Sequence, residues 1–187
     1  MSLLRLDRVA CVRGGRLLFE NLSLALAEGE AALVAGPNGV GKSSLIRLAA
    51  GLLRQAAGKV ERGCPAALAD DMLALDERLS LERALAFWAR LDRTRVGPGM
   101  EAMGLSHLAS VPVRMLSTGQ RKRASLARVA CSGAMLWLLD EPANGLDSEG
   151  VERLDALIAA HRARGGALLA ASHLPLRLED AHRVELA

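Results

Sequence analysis

The chain has 187 residues, of which 51% are hydrophobic and 24% are charged. This length and composition predict one folded domain with at most a modest insertion, and they exclude an intrinsically disordered chain. The 24 basic and 21 acidic residues nearly balance, and aromatic residues amount to only 2% with no Tyr. A surface that binds nucleic acid by charge or by base stacking is therefore not indicated.

The cysteines and the apolar segments indicate in which cellular compartment the protein works. Cys11, Cys64 and Cys131 are odd in number, widely spaced and form no CxxC pair, so neither a disulfide framework nor a zinc site is predicted. A reducing compartment fits best. No apolar run approaches the length of a membrane span. We therefore expect another chain to hold the protein at any membrane where it works.

The first part of the chain reads as short strands followed by a helix. The predicted strands are residues 3–9, 22–26 and 31–35, with turns at Gly14-Gly15 and at residues 28–30. The third strand is continuously apolar, and residues 43–50 after it have helical periodicity. A strand, a glycine loop and a helix therefore follow one another.

The rest of the chain becomes helical and then alternates. Residues 80–93 have helical spacing, and a break at residues 97–99 separates them from another short helix, so residues 70–115 are interpreted as a helical insertion. Helices are predicted at residues 119–131 and 151–161, and strands at residues 135–139 and 167–171. This alternation predicts an α/β fold with a parallel, covered sheet.

A glycine-rich loop lies between the third strand and its helix and matches GxxxxGK[ST] in full. Its backbone N–H groups would converge on phosphates at the positive end of the helix. Lys42 would neutralise the β- and γ-phosphates, and the Ser43 hydroxyl would bind Mg²⁺. The predicted nucleotide-binding residues of this segment are Gly36, Pro37, Asn38, Gly39, Val40, Gly41, Lys42, Ser43 and the adjacent Ser44.

Two carboxylates follow the apolar strand at residues 135–139. In open α/β sheets this end of a strand is where ligands bind. Asp140 could reach Mg²⁺, and Glu141 could polarise an attacking water. Alone, the pattern would more often be a buried strand before a solvated turn, but the glycine-rich loop favours the functional interpretation.

The segment Leu116-Ser117-Thr118-Gly119-Gln120 contains Ser-x-x-Gln, which is also the capping box of an ordinary helix. Together with the phosphate loop, the Asp-Glu strand and a later His, it resembles the LSGGQ signature of ABC transporter ATPases. Thr118 stands in place of the signature's first Gly. The resemblance covers nearly the whole chain and implies a P-loop NTPase fold of the ABC type, with a mostly parallel sheet, an N-terminal antiparallel β part and a helical subdomain.

The resemblance implies roles for further residues. The signature residues Ser117, Gly119 and Gln120 would bind the γ-phosphate held by a second subunit, so ATP would lie in a dimer. Asp147 matches the D-loop that communicates between the two sites, although it could equally cap the next helix. His173 occupies the switch position, where it would contact the γ-phosphate and orient water and Glu141. The other histidines are interpreted as structural.

Two positions depart from the family pattern. Asp70 aligns with the glutamine of the Q-loop and could still bind Mg²⁺ or water, or lie in a solvated loop. Arg13 stands where the family often stacks an aromatic residue on adenine. Its guanidinium could stack on the base or lie in solvent.

The family also implies an organisation and a setting. Residues 1–187 would form one ABC ATPase domain, with residues 1–69 and 116–187 as catalytic core and residues 70–115 as helical subdomain. Softer matches, such as CVRGGRLLFENLS and LSLERALAFWARL, resemble the ATPases of cytochrome c maturation complexes. That branch implies ATP and Mg²⁺, integral-membrane partners, haem export or release, and a peripheral position on the cytoplasmic side of the inner membrane. Phe87 and Trp88 are candidate partner contacts.

Three other functions stay open from the sequence. They are the ATPase of another small-molecule ABC transporter, a soluble ABC ATPase that acts on DNA or ribosomes, and a non-catalytic nucleotide-gated scaffold. One set of motifs and no coiled-coil insertion disfavour the second. Intact Lys42, Asp140, Glu141 and His173 disfavour the third.

Overall fold

The computed structural model describes residues 2–187, which divide into two compact units. The first unit holds the described residues up to Leu68 together with Ala134–Glu141 and Ala160–Ala187, and the second holds Ala69–Gly133 and Pro142–Ala159. The strands are β1 Ser2–Arg13, β2 Arg16–Ala27, β3 Ala31–Ala35, β4 Ala57–Arg62, β5 Ala66–Ala69, β6 Leu136–Asp140, β7 Ala167–Ala171 and β8 His182–Glu185. The helices are α1 Lys42–Ala50, α2 Leu81–Leu91, α3 Gly97–Ala102, α4 Thr118–Cys131 and α5 Ser148–Ala163, with 3₁₀ turns at Ser106–Leu108 and Val113–Met115.

An antiparallel sheet with strand order β2-β1-β4 forms the N-terminal part of the first unit. β1 and β2 each have 12 residues and join through the two-residue turn Gly14-Gly15, beside the pair Arg13 and Arg16. The short strands predicted at residues 3–9 and 22–26 are the central parts of these longer strands. The parts that were not predicted mix exposed residues with buried ones such as Cys11 and Phe19, and β1 contains register shifts, so no regular alternation marked their full length.

A five-stranded sheet with order β5-β6-β7-β3-β8 lies behind the glycine-rich loop. β6 pairs parallel with β7, β7 with β3, and β3 with β8. All five residues of β6 and of β7 are buried, which is the pattern of a covered parallel sheet. The predicted fold class is confirmed.

Helix α1 covers this sheet and packs on β6 and β7. Leu45, Ile46 and Leu48 are at most 1% exposed and belong to the same core cluster as Leu138 and Leu169. Burial of each such side chain contributes about 1.5–3 kcal/mol. The core therefore fixes where β3 ends and α1 begins, and so fixes the loop between them.

The second unit is helical, with α2 and α3 both packed on α4. The predicted separation of α2 from another short helix is confirmed, but the break lies at residues 92–96 and not at 97–99, because α3 begins at Gly97 with Pro98 in its first turn. A proline is tolerated there since the first N–H groups of a helix have no partner within the helix. Within residues 2–187, no helix has the length and apolar character needed to cross a bilayer.

The three cysteines are free thiols, with Cys11 and Cys131 buried and Cys64 half-buried. Burial raises the pKa of all three thiols above the ordinary value. They are therefore packing residues of low reactivity at neutral pH.

Candidate functional site

The phosphate loop runs from the end of β3 to the start of α1 within the first unit. Gly41 has φ 121°, and a Cβ there would lie 3.2 Å from Leu18 Cβ and 3.3 Å from Phe19 Cδ1. Only glycine fits both the dihedral angle and this contact with β2. The sequence therefore uses glycine here to hold the loop backbone against the antiparallel sheet.

Lys42 is the first residue of α1 and is only 7% exposed. Its ammonium donates hydrogen bonds to Gly36 O at 2.8 Å and to Pro37 O at 3.2 Å. The positive charge is thus fixed above the loop by the loop's own carbonyls. Anchoring of this kind places a cation where a phosphate chain would approach the backbone N–H groups.

The start of α1 has no side-chain cap, since its N-cap residue is Gly41. Helices leave their first N–H groups without partners inside the helix, and these groups suit anions. Ser43 is exposed in this first turn, whereas Ser44 is 7% exposed. Of the two hydroxyl residues, Ser43 is the one open to a ligand.

Asp140 is the last residue of β6 and is only 4% exposed. Its carboxylate and the Ser43 hydroxyl belong to the same unit, in which α1 packs on β6. Carboxylate and hydroxyl oxygens are the hard donors that Mg²⁺ takes alongside phosphate oxygens. The residues present therefore fit a Mg²⁺ ion held jointly by the protein and a nucleotide.

Glu141 follows β6 in a left-handed backbone conformation, with φ 48°. Its N–H donates to Ala171 O at 2.8 Å, which ties the residue to the end of β7. A non-glycine residue in this conformation costs of order 1–3 kcal/mol and persists where surrounding contacts enforce it. The hydrogen bond to Ala171 is one such contact.

His173 and Glu141 meet at the ends of β7 and β6. The ring Nδ1 lies 2.8 Å from Glu141 Oε2, and the backbone N–H of His173 donates to the same oxygen at 3.2 Å. The Glu141 side chain is 16% exposed and that of His173 is 52% exposed. Because an ionised carboxylate only accepts hydrogen bonds, Nδ1 carries the proton in this pair.

The turn that resembles the ABC signature begins α4 in the second unit. Gln120 N donates to Ser117 Oγ at 3.3 Å, and Ser117 N donates to Gln120 Oε1 at 2.9 Å, which forms a complete capping box. A Cβ at Gly119 would lie 3.0 Å from Gly145 O, so the turn packs closely on the loop before Asp147. The Asp147 carboxylate accepts from Gly150 N at 2.8 Å and caps α5.

Of the two positions that depart from the family, one has a local hydrogen-bond partner and the other is exposed. Asp70 Oδ1 accepts a hydrogen bond from Met72 N at 3.0 Å within the second unit. Arg13 is exposed at the end of β1, beside the hairpin turn. A role for Asp70 on Mg²⁺ and a role for Arg13 on a base stay predictions.

Sequence reasoning did not single out Ser172, which lies between β7 and His173 and is only 6% exposed. Its hydroxyl donates to Leu174 O at 2.8 Å and accepts from Leu174 N at 3.1 Å. A hydroxyl residue directly after an apolar strand and directly before a candidate site histidine was the available signal.

His161 is 4% exposed and stacks on Trp137, with ring centroids 3.7 Å apart. Burial lowers its pKa to about 4, against a partly compensating hydrogen bond with Ala167 O at 3.2 Å. It is a neutral core residue of the first unit, as expected of a structural histidine.

Comparisons with known proteins decide the family. The family model described as ABC transporter matches residues 19–144. The "Cytochrome c biogenesis ATP-binding export protein CcmA" of Sphingopyxis alaskensis is 61% identical over 95% of this chain and 93% of its own length. The protein of the same name from Novosphingobium aromaticivorans is 60% identical over 91% of this chain and 88% of its own length. The chain belongs to the ABC transporter family of ATP-binding proteins.

Solved structures share the fold of this ABC protein. A putative ABC transporter ATP-binding protein from Pyrococcus furiosus has a TM-score of 0.85 at 19% identity and covers 98% of this chain and 96% of its own. An ATP-binding subunit of an ABC transporter has a TM-score of 0.84 at 22% identity, with 92% and 80% covered. At these identities the likeness shows the ABC ATPase fold alone.

Proposed function

We propose that the protein is the ATP-hydrolysing subunit of an ABC transporter complex that powers haem export or release for cytochrome c biogenesis. The observation that carries ATP hydrolysis is the hydrogen-bonded pair of Glu141 and His173 in the same unit as the phosphate loop. The specific process is supported by the names of relatives that are 61% and 60% identical over nearly the whole chain.

ATP binding rests on the phosphate loop. Backbone N–H groups at the start of α1 bind phosphate oxygens, and Lys42 neutralises the β- and γ-phosphates from its place above the loop. Mg²⁺, held by Ser43 and Asp140, would offset the charge that develops on the phosphate oxygens. Asp70 is a further candidate for the metal or its water.

Glu141 is the general base of the proposed reaction. Its carboxylate takes a proton from the water that attacks the γ-phosphate in line. The proton on His173 Nδ1 is engaged with Glu141 Oε2, so Nε2 is the ring atom left for the reaction. It accepts a hydrogen bond from the attacking water, and it needs a proton of its own to donate to the γ-phosphate. The pair therefore orients the nucleophile with two side chains that fix each other.

The complete site needs a second ATPase subunit. Ser117, Gly119 and Gln120 of one subunit act on the γ-phosphate bound by the other, and Asp147 communicates between the two sites. Integral-membrane subunits hold the assembly on the cytoplasmic face of the inner membrane and receive the conformational change. Phe87, which is 57% exposed on α2, is a candidate contact with them.

The ATPase of another small-molecule ABC transporter is the second candidate function, because the family model that matches residues 19–144 is described only as ABC transporter. A pulldown in mild detergent from native membranes, with identification by mass spectrometry, separates the two. Recovery of cytochrome c maturation subunits supports the proposal, whereas recovery of a different permease supports the alternative.

The test of function compares Glu141→Gln with Glu149→Gln in cells whose own copy of this gene is deleted. We expect Glu141→Gln to bind ATP normally, to lower ATP turnover about a thousandfold and to abolish assembly of c-type cytochromes. Glu149 is an exposed carboxylate on α5 that pairs with Arg153, so its variant is the matched control. Wild-type hydrolysis by Glu141→Gln overturns the catalytic role of Glu141. Normal assembly of c-type cytochromes in cells whose Glu141→Gln protein does not hydrolyse ATP overturns the proposed role in cytochrome c biogenesis.

A further inference from the structure

The residue before His173 is a buried hydroxyl at the end of an apolar strand. Ser172 is 6% exposed and follows β7, in which all five residues are buried and apolar. A hydroxyl without a hydrogen-bond partner in such a place is costly. Its partners therefore determine how the chain leaves the strand.

Both hydrogen bonds of Ser172 go to one residue, Leu174. The hydroxyl donates to Leu174 O at 2.8 Å and accepts from Leu174 N at 3.1 Å. A side chain that binds the backbone two residues ahead closes a local turn. His173 is the residue enclosed by that turn, so the position of its Cα depends on the Ser172 hydroxyl.

His173 has little else to hold it. Its side chain is 52% exposed, and its hydrogen bonds are both to Glu141 Oε2, from the ring at 2.8 Å and from the backbone at 3.2 Å. The two bonds form together only if the backbone turn presents the ring and the N–H to the same oxygen. Glu141 itself is anchored one residue before Ser172, through its N–H to Ala171 O.

We propose that Ser172 is a positioning residue for ATP hydrolysis, which acts through the turn that aligns His173 with Glu141. The inference rests on the proposed function and adds a group whose hydroxyl bonds only the backbone of Leu174. Loss of the hydroxyl lets the turn open and lowers the fraction of sites in which both hydrogen bonds to Glu141 are made. We expect ATP binding to change little, since the hydrogen bonds that hold Lys42 at the phosphate loop do not involve this turn.

The test uses the pair Ser172→Thr and Ser172→Val, whose side chains have the same shape and differ by the hydroxyl. The tagged full chain is purified from mild-detergent extracts of its native membranes. The KM for ATP is measured, and kcat is calculated per molecule of the tagged chain. We expect Ser172→Val to lower kcat about tenfold with KM unchanged. Ser172→Thr should restore most of kcat. Equal rates for Val and wild type, or equal losses for Val and Thr, overturn the proposal.

A double-mutant cycle separates positioning from a general structural effect. In single-turnover measurements, Ser172→Val should add much less loss to His173→Ala than to the wild type, because only the backbone N–H of residue 173 then remains to be aligned with Glu141. Additive losses overturn the proposal. Glu141→Gln in the same assay tests the proposed function, and full turnover by that variant overturns the catalytic role of Glu141. Loss of turnover in Glu141→Gln with no effect of Ser172→Val overturns the Ser172 inference alone.

Discussion

Two helix starts in this protein are built in opposite ways. α1 begins after Gly41 with no side-chain cap, whereas α4 begins with a complete capping box between Ser117 and Gln120. The first leaves its N–H groups for a ligand and places Lys42 beside them. In the second, the capping box satisfies the N–H groups of Ser117 and Gln120, so action on phosphate is left to groups such as the Ser117 hydroxyl proton and the Gly119 N–H. A phosphate site of the α1 kind depends on backbone and charge, whereas one of the α4 kind also depends on a side chain.

The largest expected effect tests the charge at the α1 start. Lys42→Ala should lower ATP affinity about a hundredfold, since it removes a cation that makes charge-assisted bonds to phosphate. Lys59→Ala is the matched control, because Lys59 is exposed and pairs with Glu61 on β4. Equilibrium binding of a fluorescent ATP analogue measures both. Normal affinity in Lys42→Ala would contradict the phosphate-loop assignment.

The next effect tests the uncapped backbone itself. Gly41→Ala should weaken ATP binding about tenfold and lower the free energy of unfolding by about 1–3 kcal/mol, because φ is 121° and the new Cβ would press on Leu18. Gly15→Asn, at an exposed turn with open space around it, controls for loss of a glycine. Titration and thermal unfolding provide the two readouts. Unchanged ATP binding in Gly41→Ala would show that this backbone geometry is dispensable.

A smaller effect separates capping from catalysis at the α4 start. Ser117→Ala should cost about 1 kcal/mol of stability and also lower ATP turnover. Ser117→Asp keeps a capping oxygen but removes the hydroxyl proton and adds negative charge. It should therefore retain stability and lose turnover. Wild-type turnover in Ser117→Asp would reduce the role of Ser117 to capping.

The smallest effect is a pH dependence of the free energy of unfolding that comes from the buried His161 of the first unit. His161 has its pKa lowered to about 4 by burial, from an ordinary value of 6.5. The unfolded chain therefore binds a proton that the folded chain excludes, and stability falls as pH decreases from about 6.5 towards about 4. Unfolding followed by Trp137 fluorescence in a Trp88→Phe background should show this slope. In His161→Leu the slope should shrink, and an unchanged slope would contradict a neutral buried His161.

Buried elements next to a recognisable motif could be predicted from the sequence, whereas exposed strands at sheet edges could not. The continuous apolar run of β3 and the periodic helix after it made the phosphate loop recognisable. β4 was not predicted because AGKVER lies at a sheet edge, with one half-buried residue and no apolar alternation. β8 was missed for a similar reason, since its four residues HRVE are mostly exposed.

The candidate site shows the same division. The motif residues Asp140 and Glu141 were predicted from an apolar strand that ends in two carboxylates. The left-handed conformation of Glu141 was not predicted, because it depends on contacts with a chain segment about thirty residues away. The turn closed by Ser172 was not predicted, because no residue pattern specifies that local backbone geometry. The sequence thus contained the groups, whereas their alignment required the fold.

The buried thiols have a practical consequence for spectroscopy. Cys11, Cys64 and Cys131 all have raised pKa values, so little thiolate is present at neutral pH. A cysteine introduced at an exposed position outside the phosphate loop, such as Arg16 beside the hairpin turn, would react with a maleimide dye well before the native thiols do. The wild-type background can therefore carry a single fluorophore, and nucleotide binding can be followed in real time without first removing any native cysteine.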